Sequence, residues 1–102
     1  MTALIEQNKS MLQQLCRQYD VKRFELFGSA AAGEFDQQTS DLDFLVEFLP
    51  SDPARHAHSY LNLLVALEDL FGRSIDLLEV KAIKNPYLME SINQTRIELY
   101  AA

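Results

Sequence analysis

The chain has 102 residues, a formal net charge of −6, 48% hydrophobic residues and 24% charged residues. That length supports one small domain built on one core over residues 1–102, and the composition is that of a globular chain rather than a disordered one. The acidity argues against a broad basic surface for a nucleic-acid backbone, so no direct DNA binding is expected, whereas a nucleotide carried with a divalent cation stays compatible.

Leu4, Ile5, Met11, Leu12, Leu15 and Tyr19 recur at roughly helical spacing and predict an N-terminal helix with one apolar face. Cys16 lies among them and is the only cysteine, so no intrachain disulfide can form and a buried thiol is expected rather than a nucleophile. No signal peptide and no apolar run of membrane-spanning length is seen, so the expected location is the cytoplasm, away from the membrane.

Val21 to Phe27 reads as a strand that ends at Gly28 and Ser29, and "SAAAG" favours a short helix stopped by Gly33. The polar "EFDQQTS" is expected to be loop. "DLDFLVEF" then alternates, placing Asp41, Asp43, Leu45 and Glu47 on one face and Leu42, Phe44, Val46 and Phe48 on the other, expected core, face. "LPSDP" breaks that strand, and Pro53 opens a helix with Tyr60, Leu63, Leu64, Leu67, Leu70 and Phe71 as apolar positions and Gly72 as its stop. "SIDLLEV" predicts a third strand carrying Asp76. "NPYLMESINQTRIELY" predicts a final helix carrying Leu88, Met89, Ile92, Arg96, Ile97, Leu99 and Tyr100.

The resulting order is helix, strand, short helix, strand, helix, strand, helix. It predicts an α+β domain, a small sheet with helices packed mainly on one face. The other face is expected to be partly open, with Asp41 and Asp43 pointing to it; strand order is not readable.

Asp41 and Asp43 can approach a divalent ion together because a strand returns its side chains to one face every second residue. Two such carboxylates repel and resist ionisation, a cost that Mg²⁺ or Mn²⁺ relieves. Asp76 completes the cluster if its strand neighbours theirs. Alone, the Asp-x-Asp pair reads more readily as a solvated strand end than as a metal site. Gly28 permits a tight turn and Ser29 offers a hydroxyl and an amide to phosphate oxygens at the start of the short helix. A triphosphate would then sit between that turn and metal held by Asp41, Asp43 and Asp76, with Asp76 the preferred group to orient or deprotonate an attacking hydroxyl.

Other phosphate and metal motifs do not fit. "GSAAAG" lacks the Lys-Ser/Thr ending of a P-loop and the middle glycine of G-x-G-x-x-G. A calcium loop started at Asp36 would put Asp41 where a glycine is required. His56 and His58, two apart on a helix, do not face each other and are expected to be surface residues.

At "GSAAAGEFDQQTSDLDFLV", followed by "IDLLEV" and the closing "NPYLMESINQTRIELYA", the chain resembles the minimal nucleotidyltransferases, small relatives of the DNA polymerase β-like superfamily. The resemblance implies the nucleotidyltransferase fold with a mixed sheet. It implies two Mg²⁺ ions on Asp41, Asp43 and Asp76, phosphate binding at Gly28 and Ser29, and transfer of AMP from ATP to a hydroxyl with loss of pyrophosphate. It further implies an antitoxin whose acceptor is a tyrosine of a HEPN ribonuclease toxin encoded by an adjacent gene, as part of a homo- or hetero-oligomer. Two alternatives stay open: a noncatalytic antitoxin that neutralises its toxin by surface contact, and a small-molecule nucleotidyltransferase. The sequence departs from the family at Ala32, where an arginine is common, and in a spacer from Ser29 to Asp41 one residue longer than the commonest form.

Overall fold

The computed structural model describes residues 2–33 and 41–102; the loop expected over 34–40 lies outside them. The expected N-terminal helix is two, α1 (Ala3–Gln7) and α2 (Lys9–Gln18). Thr2 caps the first by accepting from the Ile5 amide. The break falls at Asn8, whose side-chain amide donates to the Leu4 carbonyl at 2.9 Å, the local competition with helix bonding typical of asparagine.

β1 (Val21–Phe27) leads through Gly28 into α3, a single turn over Ser29–Ala32. β2 (Leu42–Phe48) follows. The longest helix, α4 (Pro53–Phe71), starts as expected at Pro53, with the Asp52 carboxylate accepting from the Arg55 amide, and stops at Gly72 in the left-handed conformation. β3 (Ile75–Glu79) runs into a 3₁₀ turn at Val80–Ala82, and Asn85 caps α5 (Pro86–Thr95).

The expected final helix ends earlier than predicted. At Arg96 the backbone becomes extended, and Ile97–Ala101 forms a fourth strand, β4. The apolar spacing of Ile97, Leu99 and Tyr100 fits a helix as well as a strand. The free edge of β1 decides between them, since β4 pairs antiparallel with it and sinks Leu99 into the core.

The sheet order is β3-β2-β1-β4, with β2 and β3 parallel and the other pairs antiparallel, so it is the mixed sheet expected. α4 makes the crossover that the parallel pair requires. One face carries the main core: Phe24 stacks on Phe44 at 4.7 Å between centroids, Phe71 of α4 packs against Phe44, and Ile5, Leu12 and Leu63 fill in around them. Cys16 is buried in the same core, and burial pushes its thiol up to about 12, as befits an inert side chain. Tyr60 ties α4 to the sheet by donating to the Leu77 carbonyl at 2.7 Å.

The opposite face is less open than alternation implied. Leu45, expected beside the carboxylates on the polar face, is buried with Phe27 under Ile92 of α5. α5 therefore covers the middle of that face, and the carboxylates occupy what is left at one end. His56 is also more engaged than expected, meeting the Glu79 carboxylate at 2.5 Å and standing edge-on to Phe48. No helix among the described residues is long and apolar enough to cross a membrane.

Candidate active site

The parallel register sets Asp43 of β2 opposite Asp76 of β3, while Phe27 of β1 stands opposite Asp43 on its other side. Two of the three expected carboxylates are thus brought together by strand pairing alone. Asp41 lies just before β2 and is exposed. Burial, with the charges of Asp76 and then Asp41 close by, pushes the Asp43 carboxyl up to about 6 from 3.8. Burial disfavours the charged form most, and the two like charges add to that effect.

Among the described residues no three acidic, histidine or cysteine side chains already stand as a closed metal-ligating set. The donor chemistry nonetheless suits a hard divalent ion: all three side chains offer carboxylate oxygens, and Asp43 resists its own charge because of burial and then its acidic neighbours.

Gly28 is where the site needs glycine. Its φ of 73° and ψ of −153° belong to a region open almost only to glycine, and a Cβ there would collide with the Asp43 carboxylate. The glycine Cα therefore rests directly against the central aspartate, which places Ser29 at the head of α3 next to it. The Gly28 carbonyl accepts from the Ala32 amide, closing the turn, and Ala30 is buried as its anchor. Being one turn long, α3 aligns few peptide dipoles, so any hold on phosphate rests on local donors such as the Ser29 hydroxyl.

Three residues that pattern reading did not find complete the surroundings. The Thr95 hydroxyl, at the end of α5, accepts from the Gly28 amide at 2.9 Å. Next to it, Arg96 sets two nitrogens on the buried Glu25 carboxylate of β1, at 2.8 and 2.6 Å. The Arg96 bond and charge hold the Glu25 carboxyl below its usual range. These partners are 67 and 71 residues apart, and no spacing rule joins them. A cavity of about 290 Å³ lies at the far ends of β2 and β3, lined by residues such as Phe48, His56, Glu79 and Lys81. It includes none of the three aspartates and is not this site.

The nucleotidyltransferase domain family matches residues 9–99. A Methanocaldococcus jannaschii protein, named provisionally as a protein adenylyltransferase, is 36% identical over 92% of this chain and 89% of its own length. A solved minimal nucleotidyltransferase, 30% identical, superposes with a TM-score of 0.73 over 91% of this chain and 90% of that one. Two further solved chains share the fold at lower identity. One comes from a toxin–antitoxin complex with AMP-PNP (TM-score 0.70, 19% identity, 93% of this chain and 74% of that one). The other comes from a complex of a tri-AMPylated Shewanella oneidensis HEPN toxin with its MNT antitoxin (TM-score 0.59, 18% identity, 95% and 72%). With its mixed sheet, its Gly28 turn set against Asp43 and these matches, the chain belongs to the minimal nucleotidyltransferases of the nucleotidyltransferase domain family.

Proposed function

We propose that the protein transfers AMP from ATP to a hydroxyl of a protein acceptor, a tyrosine of a helical HEPN toxin, and thereby acts as its antitoxin. The observation that carries this reading is the in-register placement of Asp43 and Asp76 beside the Gly28 turn. The relative named as a protein adenylyltransferase supports the reaction class, and the AMPylated toxin in a complex of like fold supports the acceptor class.

Ser29 would bind triphosphate oxygens through its hydroxyl and amide, with Gly28 keeping side-chain bulk out of the approach. Asp41, Asp43 and Asp76 would hold two Mg²⁺ ions, which when bound neutralise the triphosphate and polarise the α-phosphate. Asp76, the most exposed end of the register pair, would orient the acceptor hydroxyl and take its proton. A bond forms from the acceptor oxygen to the α-phosphorus, the bond from that phosphorus to the oxygen bridging to the β-phosphate breaks, and pyrophosphate leaves.

A second reading is neutralisation by binding alone. Ala32 favours it, because the resemblance leads one to expect an arginine clamp there, and alanine supplies no donor to phosphate. Intact-mass measurement of the adjacent-gene helical partner, after incubation with the protein, ATP and Mg²⁺, separates the two. A gain of one or more AMP units that disappears with Asp41→Asn, Asp43→Asn establishes transfer. Unchanged mass with tight complex formation by both versions establishes neutralisation by contact.

A further inference from the structure

Gly28 stands where β1 has run out of partners on one side. The last pair between β1 and β4 is Leu26 with Ile97, so the Gly28 amide lies beyond that ladder. It is nonetheless part-buried, where an unpaired amide is costly. Its acceptor is the Thr95 hydroxyl at 2.9 Å. A threonine in a helix commonly turns its hydroxyl back to a carbonyl of its own previous turn; this one receives a bond from the strand end.

Thr95 is itself fixed in place. The adjacent Arg96 grips Glu25 of β1 with two nitrogens, and Glu25 is 5% exposed. The end of α5 is thus fastened at two points three residues apart, Glu25 of β1 and Gly28 just beyond its end. Gly28 in turn abuts Asp43 so closely that a methyl group there would strike its carboxylate.

We propose that Thr95 is a positioning residue for the nucleotide site, holding the Gly28 peptide in its glycine-only conformation so that the Ser29 turn and the Asp43 carboxylate keep their relative places. Its assigned role runs through the Gly28 peptide, whose amide donates to its hydroxyl. The inference rests on the reading of Gly28 and Ser29 as the phosphate-binding turn.

The test uses the full-length protein with Thr95→Val, which keeps the shape and removes the acceptor oxygen, and Thr95→Ser, which keeps the oxygen. The chain has three glycines, so labelling glycine alone with ¹⁵N gives a spectrum in which the Gly28 amide is read directly. Its hydrogen exchange is expected to speed up about tenfold in Thr95→Val and to stay near wild type in Thr95→Ser. In parallel, the KM for ATP in the transfer assay is expected to rise about tenfold in Thr95→Val, with kcat falling less, and to return with serine.

Unchanged Gly28 exchange in Thr95→Val overturns the proposal, whatever happens to thermal stability. Altered exchange with an unchanged KM also overturns it, leaving Thr95 a structural contact. A serine variant as impaired as the valine one would also overturn it, because the acceptor oxygen, present in serine, would then not be what holds the turn. If the wild-type protein neither transfers AMP nor binds ATP, the proposed function fails and the proposal, as a statement about a nucleotide site, falls with it; Gly28 exchange then still reports whether Thr95 holds the turn.

Discussion

Asp43 of β2 and Asp76 of β3 stand opposite each other in parallel register, and burial, joined by that neighbouring charge, makes the Asp43 carboxyl reluctant to ionise. Its value in the folded chain, about 6 against an ordinary 3.8, means the native state holds a proton that the unfolded state has released across that window. Stability from this group therefore falls as pH rises from about 4 to about 6, and stays lowered above it. Asp43→Asn removes the cost. The metal-free variant is expected to be more stable than wild type at pH 7.5, by on the order of 1 kcal/mol once solvent screening is discounted. The gap should close toward pH 4, as measured by urea unfolding across pH. Mg²⁺ should raise the wild-type melting temperature by mass action and leave the variant unmoved. A variant less stable than wild type at every pH would show that Asp43 is held by favourable contacts instead.

The two glycines that bracket α3 both have positive φ but differ in their surroundings. A Cβ on Gly33 meets nothing within 4 Å, whereas one on Gly28 runs into Asp43. Gly33→Ala should cost about 1 kcal/mol, the ordinary penalty for alanine in the left-handed region, with transfer retained. Gly28→Ala should cost more, about 2 to 3 kcal/mol from its strained backbone alone, and should displace Asp43 and lower kcat/KM at least tenfold. Equal effects of the two substitutions on activity would remove Gly28 from the site.

Arg96 and Glu25 make a partly buried ion pair whose side chains are 27% and 7% exposed. Arg96→Met leaves a buried carboxylate without its partner and should cost about 3 kcal/mol at pH 7, whereas Glu25→Gln, Arg96→Met together should recover part of that loss. Glu25 is depressed from 4.5 by the Arg96 bond, so its stabilisation is present above that pH and is lost as pH falls through the lower folded value. The advantage of wild type over the double variant should accordingly shrink in acid below about pH 4.5, by chemical denaturation. An advantage that is flat with pH would mean that the pair's charge contributes nothing.

Much of this site was legible because strands repeat every two residues. Asp41 and Asp43 share a parity, and the break at Gly28 and Ser29 marks a strand end from composition alone. That Asp76 would stand opposite Asp43 was not legible, since strand order depends on which edges α4 can bridge. The fourth strand is hidden in the sequence for a related reason: Ile97 to Ala101 is short, and only the waiting edge of β1 makes it a strand. Alternation puts Leu45 on the polar face because it is silent about what a helix later covers. The roles of Thr95 and Arg96 are beyond the reach of sequence patterns, because bonds spanning 67 and 71 residues leave no periodic trace.

Ala32 stands where the resemblance leads one to expect an arginine, and its place in the fold makes that difference testable. It is the last residue of α3 and is exposed, so a long side chain can be added without displacing the core. Ala32→Arg should therefore leave the melting temperature within a degree or two. If Gly28 and Ser29 bind the triphosphate, the guanidinium stands one turn away and adds charge-assisted donors, worth about tenfold in ATP affinity for one good bond. Calorimetric titration with ATP and Mg²⁺ should show that gain in the arginine variant, with the increase abolished by Asp41→Asn, Asp43→Asn. Were the affinity to rise equally in the aspartate-deficient background, the arginine would be attracting nucleotide through its charge alone, and the triphosphate would lie away from the carboxylates. No rise in either background would place the phosphates out of reach of the end of α3, which is the result that would move the reading toward neutralisation by contact.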